Sequence, residues 1–378
     1  MRVLMLEPNP VLSYGTDLCN ALTDLGVEVM LATTRDYAFG DRAQFEVRRL
    51  APGSSPGQYA SKLAHEAGYL LSLTSLILRW RPDIVHFQWF RVRAEIAYMA
   101  ALRAARQRLV WTVHNVLSHD YRPSDMLYHR ILYRLPRRLI AHTADTRDQL
   151  LRLFRVPTSA VTVVPFGNYE GVPHQVLPTT LARQHLCLPE DATVFLFYGL
   201  LRPYKGYEEL LEAFVQALAY GCESVLVIAG RASRPDATRL QAKVRALPEM
   251  ARTRVRLHVE ADAFLSQDLT DELFSAADVV ALPYRQVWQS AVLFQAFSYA
   301  KPVLASAVGG FPETIRDGAT GYLVHPRDRD SLARRIIELS GDRASLQAAG
   351  ARARAVSQVE NSWVRIAKLT LQVYESAL

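Results

Sequence analysis

The sequence predicts an α/β protein with two successive doubly wound domains, each built on a parallel sheet. Short apolar runs typical of buried strands alternate with amphipathic segments typical of helices over residues 2–164, and the alternation starts again at residue 194. Between these parts, residues 165–178 contain two glycines and three prolines, a composition typical of an interdomain connection. A length of 378 residues also favours two domains.

The first half contains seven predicted strands, each a short apolar run. They are expected at residues 2–6, 27–31, 45–50, 82–87, 109–113, 139–142 and 161–164. Helices are expected between them, at about 12–25, 59–80, 95–106, 126–135 and 145–154. This alternating order favours parallel strands in a doubly wound sheet.

The second half repeats the order with six predicted strands. They are expected at 194–198, 225–229, 254–259, 278–282, 302–305 and 322–324, with helices at about 207–220, 236–246, 269–276, 291–299 and 328–340. A last amphipathic helix, with Trp363 and Tyr374 on its apolar side, is expected at about 357–376. We therefore expect domains at 1–172 and 173–355 and a separate C-terminal helix at 356–378.

The composition favours a globular protein of the reducing cytoplasm. The three cysteines, Cys19, Cys187 and Cys222, are far apart and odd in number, so neither a disulfide framework nor a metal-ligand pattern is expected. The apolar run at the N-terminus is too short for a signal peptide, and the longest apolar segment, residues 69–78, is too short to span a bilayer.

The positive charge is concentrated in the first half. Residues 1–175 hold 21 Lys and Arg against 15 Asp and Glu, which accounts for most of the net charge of +7. A basic face of this kind suits anionic lipid, nucleic acid or a polyanionic substrate, although ordinary solvated helix faces explain any single arginine as well. No aromatic and basic motif accompanies the charge, so we expect no nucleic-acid partner.

The most informative stretch is residues 195–214, FLFYGLLRPYKGYEELLEAF. An apolar strand ends at Gly199, a loop carries Arg202, Lys205 and Gly206, and a helix follows. A loop that leads from the carboxyl end of a strand into a helix is where open α/β sheets bind anions, so two cations there favour a phosphorylated ligand. Alternatively, the loop is solvated, and Arg202 and Lys205 pair with Glu208 and Glu209 of the next helix.

Two further loops follow predicted strands of the second half. In the first, Tyr284–Ala291, Gln289 and the hydroxyl of Ser290 can present hydrogen bonds to a diphosphate, or Ser290 merely caps the helix. In the second, Gly309 and Gly310 allow either close approach of a ligand or a tight turn before a helix.

Two histidines end strands of the first half. His114 follows residues 109–113 and can accept a proton or hydrogen-bond a sugar hydroxyl, although a lone histidine is more often structural. His86, at the end of the preceding strand, is a weaker candidate of the same kind. Nicotinamide and P-loop chemistry are disfavoured, because the first turn holds one glycine and two prolines and no Walker sequence is present.

The pattern as a whole resembles the two-domain GT-B glycosyltransferases, in particular the family-4-like enzymes. The resemblance rests mainly on GLLRPYKGYEELLEAF, AADVVALPY, YAKPVLASAVGGFPE and DGATGYLV in the second half, with TVHNVLSHD, PDIVHFQW and VVPFGNYEG in the first. Within that group the sequence is most similar to bacterial GDP-mannose:glycolipid mannosyltransferases of exopolysaccharide assembly.

The resemblance implies two Rossmann-like domains that face each other across a cleft. The first would bind a glycan or polyprenyl-linked glycolipid acceptor and the second a nucleotide sugar, while the last helix would cross back onto the first domain. The diphosphate would contact Arg202, Lys205, Gly206, Ser290 and Ala291. The nucleoside and sugar would contact a second set: Gly199, Tyr284, Gln289, Gln295 and Gly310. No metal ion or other cofactor is expected, since paired cations stabilise the leaving diphosphate.

The sequence departs from the family pattern at one place. Two glutamates eight positions apart are common there, but Val287 and Gln295 occupy these positions. An inverting reaction then needs a base for the acceptor hydroxyl. His114 is the first candidate, and Asp17 and Glu95 are reserves.

We therefore expect a hexosyltransferase, with mannose and GDP favoured. The main alternative is a catalytically silent partner of the same fold that binds a sugar nucleotide or another subunit. Arg130, Arg134 and Arg137, beside Leu127, Tyr128 and Leu132, also suggest peripheral contact with an anionic membrane at its cytoplasmic face.

Overall fold

The computed structural model describes residues 1–8, 13–35, 37–51, 59–90, 94–117, 125–172 and 174–378. Several residues named from the sequence lie outside this description. They are Arg91, Arg93, Pro173, residues 118–120 of TVHNVLSHD and the start of the helix expected at residue 12. The chain forms two compact units. One comprises Met1–Gly167 with Glu360–Leu378, and the other comprises Asn168–Val359.

The first unit contains a seven-stranded sheet in which every pairing is parallel. Its strands are β1 (Arg2–Glu7), β2 (Glu28–Thr34), β3 (Glu46–Ala51), β4 (Ile84–Phe87), β5 (Leu109–Val113), β6 (Arg138–Ala141) and β7 (Val161–Val163), in the order β3-β2-β1-β4-β5-β6-β7. All seven predicted strands are confirmed. Because the sheet is parallel, the carboxyl ends of β4, β5 and β6 lie side by side at the same end of the sheet.

Helices cover both faces of this sheet, as a doubly wound order requires. They are α1 (Tyr14–Asp24), α2 (Tyr59–Trp80), α3 (Ala94–Ala104), α4 (Asp125–Leu132), α5 (Ala144–Phe154) and, from the end of the chain, α15 (Trp363–Ala377). The last of these packs against α1. Trp363 lies 5.1 Å from the Tyr14 ring, and a Cβ on Gly167 would overlap its indole. Gly167 therefore allows the helix to approach closely.

The second unit contains a six-stranded parallel sheet, also as predicted. Its strands are β8 (Thr193–Tyr198), β9 (Ser224–Ala232), β10 (Val255–Ala261), β11 (Val279–Leu282), β12 (Val303–Ser306) and β13 (Gly321–Val324), in the order β10-β9-β8-β11-β12-β13. Its helices are α6 (Thr179–His185), α7 (Tyr207–Ala219), α8 (Arg234–Arg245), α9 (Glu249–Arg252), α10 (Gln267–Ala276), α11 (Ala291–Ser298), α12 (Phe311–Thr314), α13 (Arg329–Leu339) and α14 (Arg343–Glu360).

The end of the chain differs from the prediction. A single helix was expected from about residue 357, but residues 357–360 belong to α14, and α15 begins at Trp363. The break falls at Asn361, whose side-chain amide donates to the carbonyl oxygen of Phe166 at 2.8 Å. Within the described ranges, no helix is both long and apolar enough to cross a membrane.

Candidate active site

The loop after β8 is held in one conformation by backbone contacts. Gly199 has a φ of +118° and its N–H donates to the carbonyl of Ala229 at 3.0 Å. The chain then makes a 3-10 turn at Pro203–Lys205, and Gly206, with a φ of +71°, is the N-cap residue of α7. A Cβ on Gly206 would overlap the carbonyl oxygen of Pro283. Glycine is therefore required where the loop presses against the end of β11.

Lys205 is the buried cation of this loop. Its side chain is only 8% exposed, and Nζ lies 5.2 Å from the centre of the Tyr284 ring. Burial lowers the pKa of Lys205. Among the residues that the structure describes, no carboxylate lies within ion-pairing distance of it. A buried ammonium with an aromatic neighbour but no counter-anion is suited to an anionic ligand.

Glu208 and Glu209, in the first turn of α7, do not neutralise the loop cations. Glu208 pairs with Lys243 at 2.7 Å, and Glu209 accepts from Arg285 Nε at 2.6 Å. Arg202 is exposed, and neither glutamate pairs with it. The alternative in which Arg202 and Lys205 pair with Glu208 and Glu209 is therefore wrong.

The N-terminus of α11 lies beside Lys205. A Cβ built on Gly199 would be 3.2 Å from Lys205 Nζ and 3.4 Å from Val292 Cγ2 in the first turn of α11. Ser290 is the N-cap residue, but its buried hydroxyl makes no capping hydrogen bond, so the simple capping interpretation is wrong. The side-chain carbonyl of Gln289 accepts from the Ser290 N–H at 2.9 Å. The first-turn amides of α11, including that of Ala291, are therefore left without a side-chain cap.

Tyr284, Gly310 and Gln295 are the remaining sequence-predicted residues of the second unit. Tyr284 is buried, which raises its pKa, and its ring faces Lys205. Gly310 is the N-cap of α12, and the tight approach at its neighbour Gly309 is to the carbonyl oxygen of Val287. Gln295 is half-buried on α11. The sequence-predicted residues of the second unit thus lie in the loops that follow β8, β11 and β12, with Ala291 and Gln295 on the helix after β11.

In the first unit, three histidines gather at the carboxyl ends of β4, β5 and β6. His114 Nδ1 lies 3.3 Å from His142 Nε2, and His114 Nε2 lies 2.9 Å from Gln88 Oε1. The His114 ring stacks on Trp89 with centroids 4.4 Å apart, and the edge of Tyr14 approaches at 5.3 Å. Burial, followed by His142 and His86, lowers the pKa of His114, so the ring is neutral at pH 7.

His86 lies inside this cluster, with no exposed surface. Its Nδ1 contacts the Tyr374 hydroxyl at 2.7 Å, and its Nε2 contacts the Thr112 hydroxyl at 2.8 Å. Burial, followed by His142, lowers the pKa of His86 to about 3. Because both nitrogens are occupied, this ring ties α15 to the sheet.

The two reserve carboxylates are also engaged. Asp17 is buried, accepts from the Ser13 hydroxyl at 2.7 Å and pairs with Arg42. Burial raises the pKa of Asp17 more than Ser13 and Arg42 lower it. Glu95 is fully buried and accepts from the Tyr69 hydroxyl at 2.9 Å. Both side chains therefore connect elements of the first unit.

Sequence reasoning missed three residues that contact His114: Gln88, Trp89 and His142. Each follows or ends a strand, and this position was the only available signal. His142 stands directly after β6 as His114 stands directly after β5. In the described part of the chain, no group of three or more His, Cys, Asp or Glu side chains is arranged to hold a metal ion.

Comparison with known proteins gives family matches for both halves of the chain. Residues 13–167 match Glycosyltransferase Family 4, and residues 179–356 match Glycosyl transferases group 1. Solved structures of similar fold include HepE of Anabaena in complex with UDP and glucose, at a TM-score of 0.76 and 19% identity, with 100% of both chains covered. Sucrose-phosphate synthase of Thermosynechococcus elongatus gives a TM-score of 0.77 at 18% identity, covering 100% of this chain and 98% of the other. These structures define the GT-B fold class.

Curated relatives carry the name D-inositol 3-phosphate glycosyltransferase. The Streptomyces griseus protein is 31% identical over 260 residues, covering 64% of this chain and 54% of the relative. The Thermobispora bispora protein is 26% identical over 390 residues, covering 97% and 89%. The chain thus spans about half the length of the first of these relatives. With consecutive family matches along most of its length, the chain belongs to the family-4-like glycosyltransferases of the GT-B fold.

Proposed function

We propose that this protein transfers a hexose, with mannose favoured, from a nucleoside diphosphate sugar to a hydroxyl of a glycan or glycolipid, without a metal ion. The observation that carries this proposal is the buried position of Lys205 beside the N-terminus of α11. Fixed positive charge at this place stabilises the diphosphate as the anomeric C–O bond breaks. Arg202, exposed on the same loop, contributes the second charge.

The protein surroundings favour the charge that develops on the leaving group. Burial lowers the pKa of Lys205, and a bound diphosphate raises it again because opposite charges stabilise each other. The first-turn amides of α11 add the positive end of a helix dipole. In this proposal the second unit binds the donor, and the first supplies His114 to the acceptor hydroxyl.

There are two candidates for the nucleobase of the donor and two for the acceptor. The sequence resemblance favours GDP-mannose, whereas HepE holds UDP and glucose. A polyprenyl-linked glycolipid is the expected acceptor, and the name of the curated relatives adds an inositol phosphate. A panel of GDP, UDP and dTDP sugars with both acceptors, with and without EDTA, decides between them. Full activity in EDTA is expected for a metal-independent reaction.

The decisive variant is Lys205→Ala. We expect donor hydrolysis and transfer to fall by about 100-fold or more, since one donor to a developing oxyanion is worth about 3 kcal/mol. Lys243→Ala removes an ammonium that pairs with Glu208 and is the matched control. Unchanged transfer in Lys205→Ala contradicts the proposal. Donor binding by the wild type without hydrolysis or transfer would instead identify a catalytically silent partner.

Membrane contact is proposed for α4 of the first unit. Leu127 and Ile131 lie one turn apart on α4 and are 68% and 57% exposed. Arg130 is on the same helix, and Arg134 lies just beyond its last residue. Leu132, expected on this face, is instead buried in the core because it lies on the opposite side of the helix. Liposome co-sedimentation should show binding that requires anionic lipid and weakens in Leu127→Ser, but not in Leu71→Ser on α2. Absence of binding to liposomes both with and without anionic lipid refutes the contact.

A further inference from the structure

The protonation state of the histidine cluster can be worked out from a single carbonyl group. His142 Nδ1 lies 3.0 Å from the carbonyl oxygen of Val164, which can only accept a hydrogen bond. Nδ1 of His142 therefore carries a proton. Burial lowers the pKa of His142 to about 4, so the ring is neutral at pH 7 and its Nε2 is an acceptor.

This acceptor determines the tautomer of His114. His142 Nε2 faces His114 Nδ1 at 3.3 Å, and two acceptors do not form a hydrogen bond. His114 must therefore donate from Nδ1. A neutral His114 then carries no proton on Nε2, which is left with a free electron pair.

Gln88 completes the chain of hydrogen bonds. The carbonyl oxygen of Gln88 lies 2.9 Å from His114 Nε2 and can only accept a hydrogen bond. If His114 Nε2 donated to it, either His114 or His142 would need protons on both ring nitrogens. A half turn of the amide directs its NH2 group at His114 Nε2 and its carbonyl oxygen at His86 Nε2, which lies 3.4 Å away. His86 Nε2–H then donates to Thr112 and Gln88, while its Nδ1 accepts from the hydroxyl of Tyr374. Every ring remains neutral, and the rotation gives up the contact between the Gln88 NH2 group and the Met5 sulfur at 3.2 Å.

We infer that Gln88 and His142 are positioning residues that hold His114 as the Nδ1–H tautomer and present Nε2 as a proton acceptor. Trp89 and Tyr14 fix the plane of the ring between them by stacking and edge contact. The catalytic consequence of this tautomer rests on the proposed function. A sugar hydroxyl can displace the Gln88 amide and donate a hydrogen bond to Nε2.

The tautomer can be measured without any activity assay. Full-length protein labelled with 15N-histidine gives two-bond correlations that distinguish protonated from unprotonated ring nitrogens, and a His114→Gln variant assigns the signals. At pH 7 we expect Nδ1 of His114 to be protonated and Nε2 to be unprotonated. The opposite tautomer, or a doubly protonated ring, overturns the inference.

Two variants separate the roles of the positioning residues. His142→Phe removes the acceptor, so the proton of His114 should move partly to Nε2. In Gln88→Leu the tautomer should persist, but kcat/KM should fall by about 10- to 100-fold because the ring is less firmly held. Gln107→Leu also removes a side-chain amide hydrogen bond, to the Pro82 carbonyl, and is the control.

The outcomes of these measurements differ for the two claims. If Gln88→Leu loses no more activity than Gln107→Leu, or if His142→Phe leaves the proton on Nδ1, the positioning role is refuted. If the wild type shows no transfer with any donor, the proposed function fails. The nitrogen shifts still decide the tautomer in that case.

Discussion

Replacing Lys205 with methionine should make the protein more stable and bind the donor more weakly. Burying an ammonium costs several kcal/mol, whereas a cation–π contact returns only about 0.5–2 kcal/mol. The Tyr284 ring is the compensating group found for Lys205 in the described residues, and methionine fills a similar volume. We therefore expect the free energy of unfolding of the ligand-free protein to rise by about 1–3 kcal/mol.

The loss of binding follows from the same charge. A hydrogen bond to a charged group contributes about 1.5–3 kcal/mol, so the Kd of the nucleoside diphosphate should rise by about 10- to 150-fold. Denaturant unfolding measures the first effect, and titration calorimetry with GDP and UDP measures the second. Lys243→Met, on the surface of α8, should change neither by more than a small amount.

The pH dependence of the stability difference provides a further check. The pKa of Lys205 is lower in the folded protein than its ordinary value of 10.5, so the unfolded chain binds more protons between the two values. The wild type therefore gains stability as pH rises towards 10.5, and its deficit relative to Lys205→Met should shrink. If Lys205→Met is instead less stable than the wild type by more than about 1 kcal/mol, the ammonium is a structural group and the reasoning is refuted.

Three further variants test neighbouring features. Gly206→Ala should cost several kcal/mol in unfolding free energy and weaken donor binding, because the new Cβ meets a carbonyl oxygen at a φ of +71°, whereas Gly221→Ala, at +85° in open space, should cost only about 1 kcal/mol. Arg183→Met should lower the unfolding free energy by about 3 kcal/mol, since Arg183 is fully buried and pairs with Asp278 at 2.6 Å; a change below 1 kcal/mol in a denaturant titration would contradict this. Gln295→Glu should tighten donor binding by about five-fold if the amide stands in for a carboxylate on the ribose, and calorimetry showing no change would exclude that role.

The sheets were predictable because each buried strand reads as a short apolar run in its own sequence. Helix α14 was not, since most of the residues on its buried face are small and do not stand out from the alanines on its exposed face: Leu346, Ala349, Gly350, Ala353 and Ser357. The loop around Lys205 could be placed at the carboxyl end of a strand from sequence. The ion pairs around this loop could not be predicted, because Glu208 pairs with Lys243 on a different helix, 35 residues away.

The histidine cluster shows the same limit. Gln88 and His142 are single polar residues after strands, with no local pattern that distinguishes them from solvent-facing ones. Strand register brings them together: Phe87 pairs with Trp111, and Val113 pairs with Ala141, so the residues that follow these strands share one edge. Register depends on contacts distant in sequence and is not encoded in any one segment.

Helix α15 gives the first unit an unusual order of assembly. The chain leaves this unit at Gly167 and returns to it only at Glu360. The hydroxyl of Tyr374, on that returning segment, reaches Nδ1 of the buried His86. During synthesis, the second unit can therefore fold before the first is complete. A chain that stops before Tyr374 keeps the residues around Lys205 but lacks this hydroxyl, so the histidine cluster closes only after Tyr374 has been synthesised.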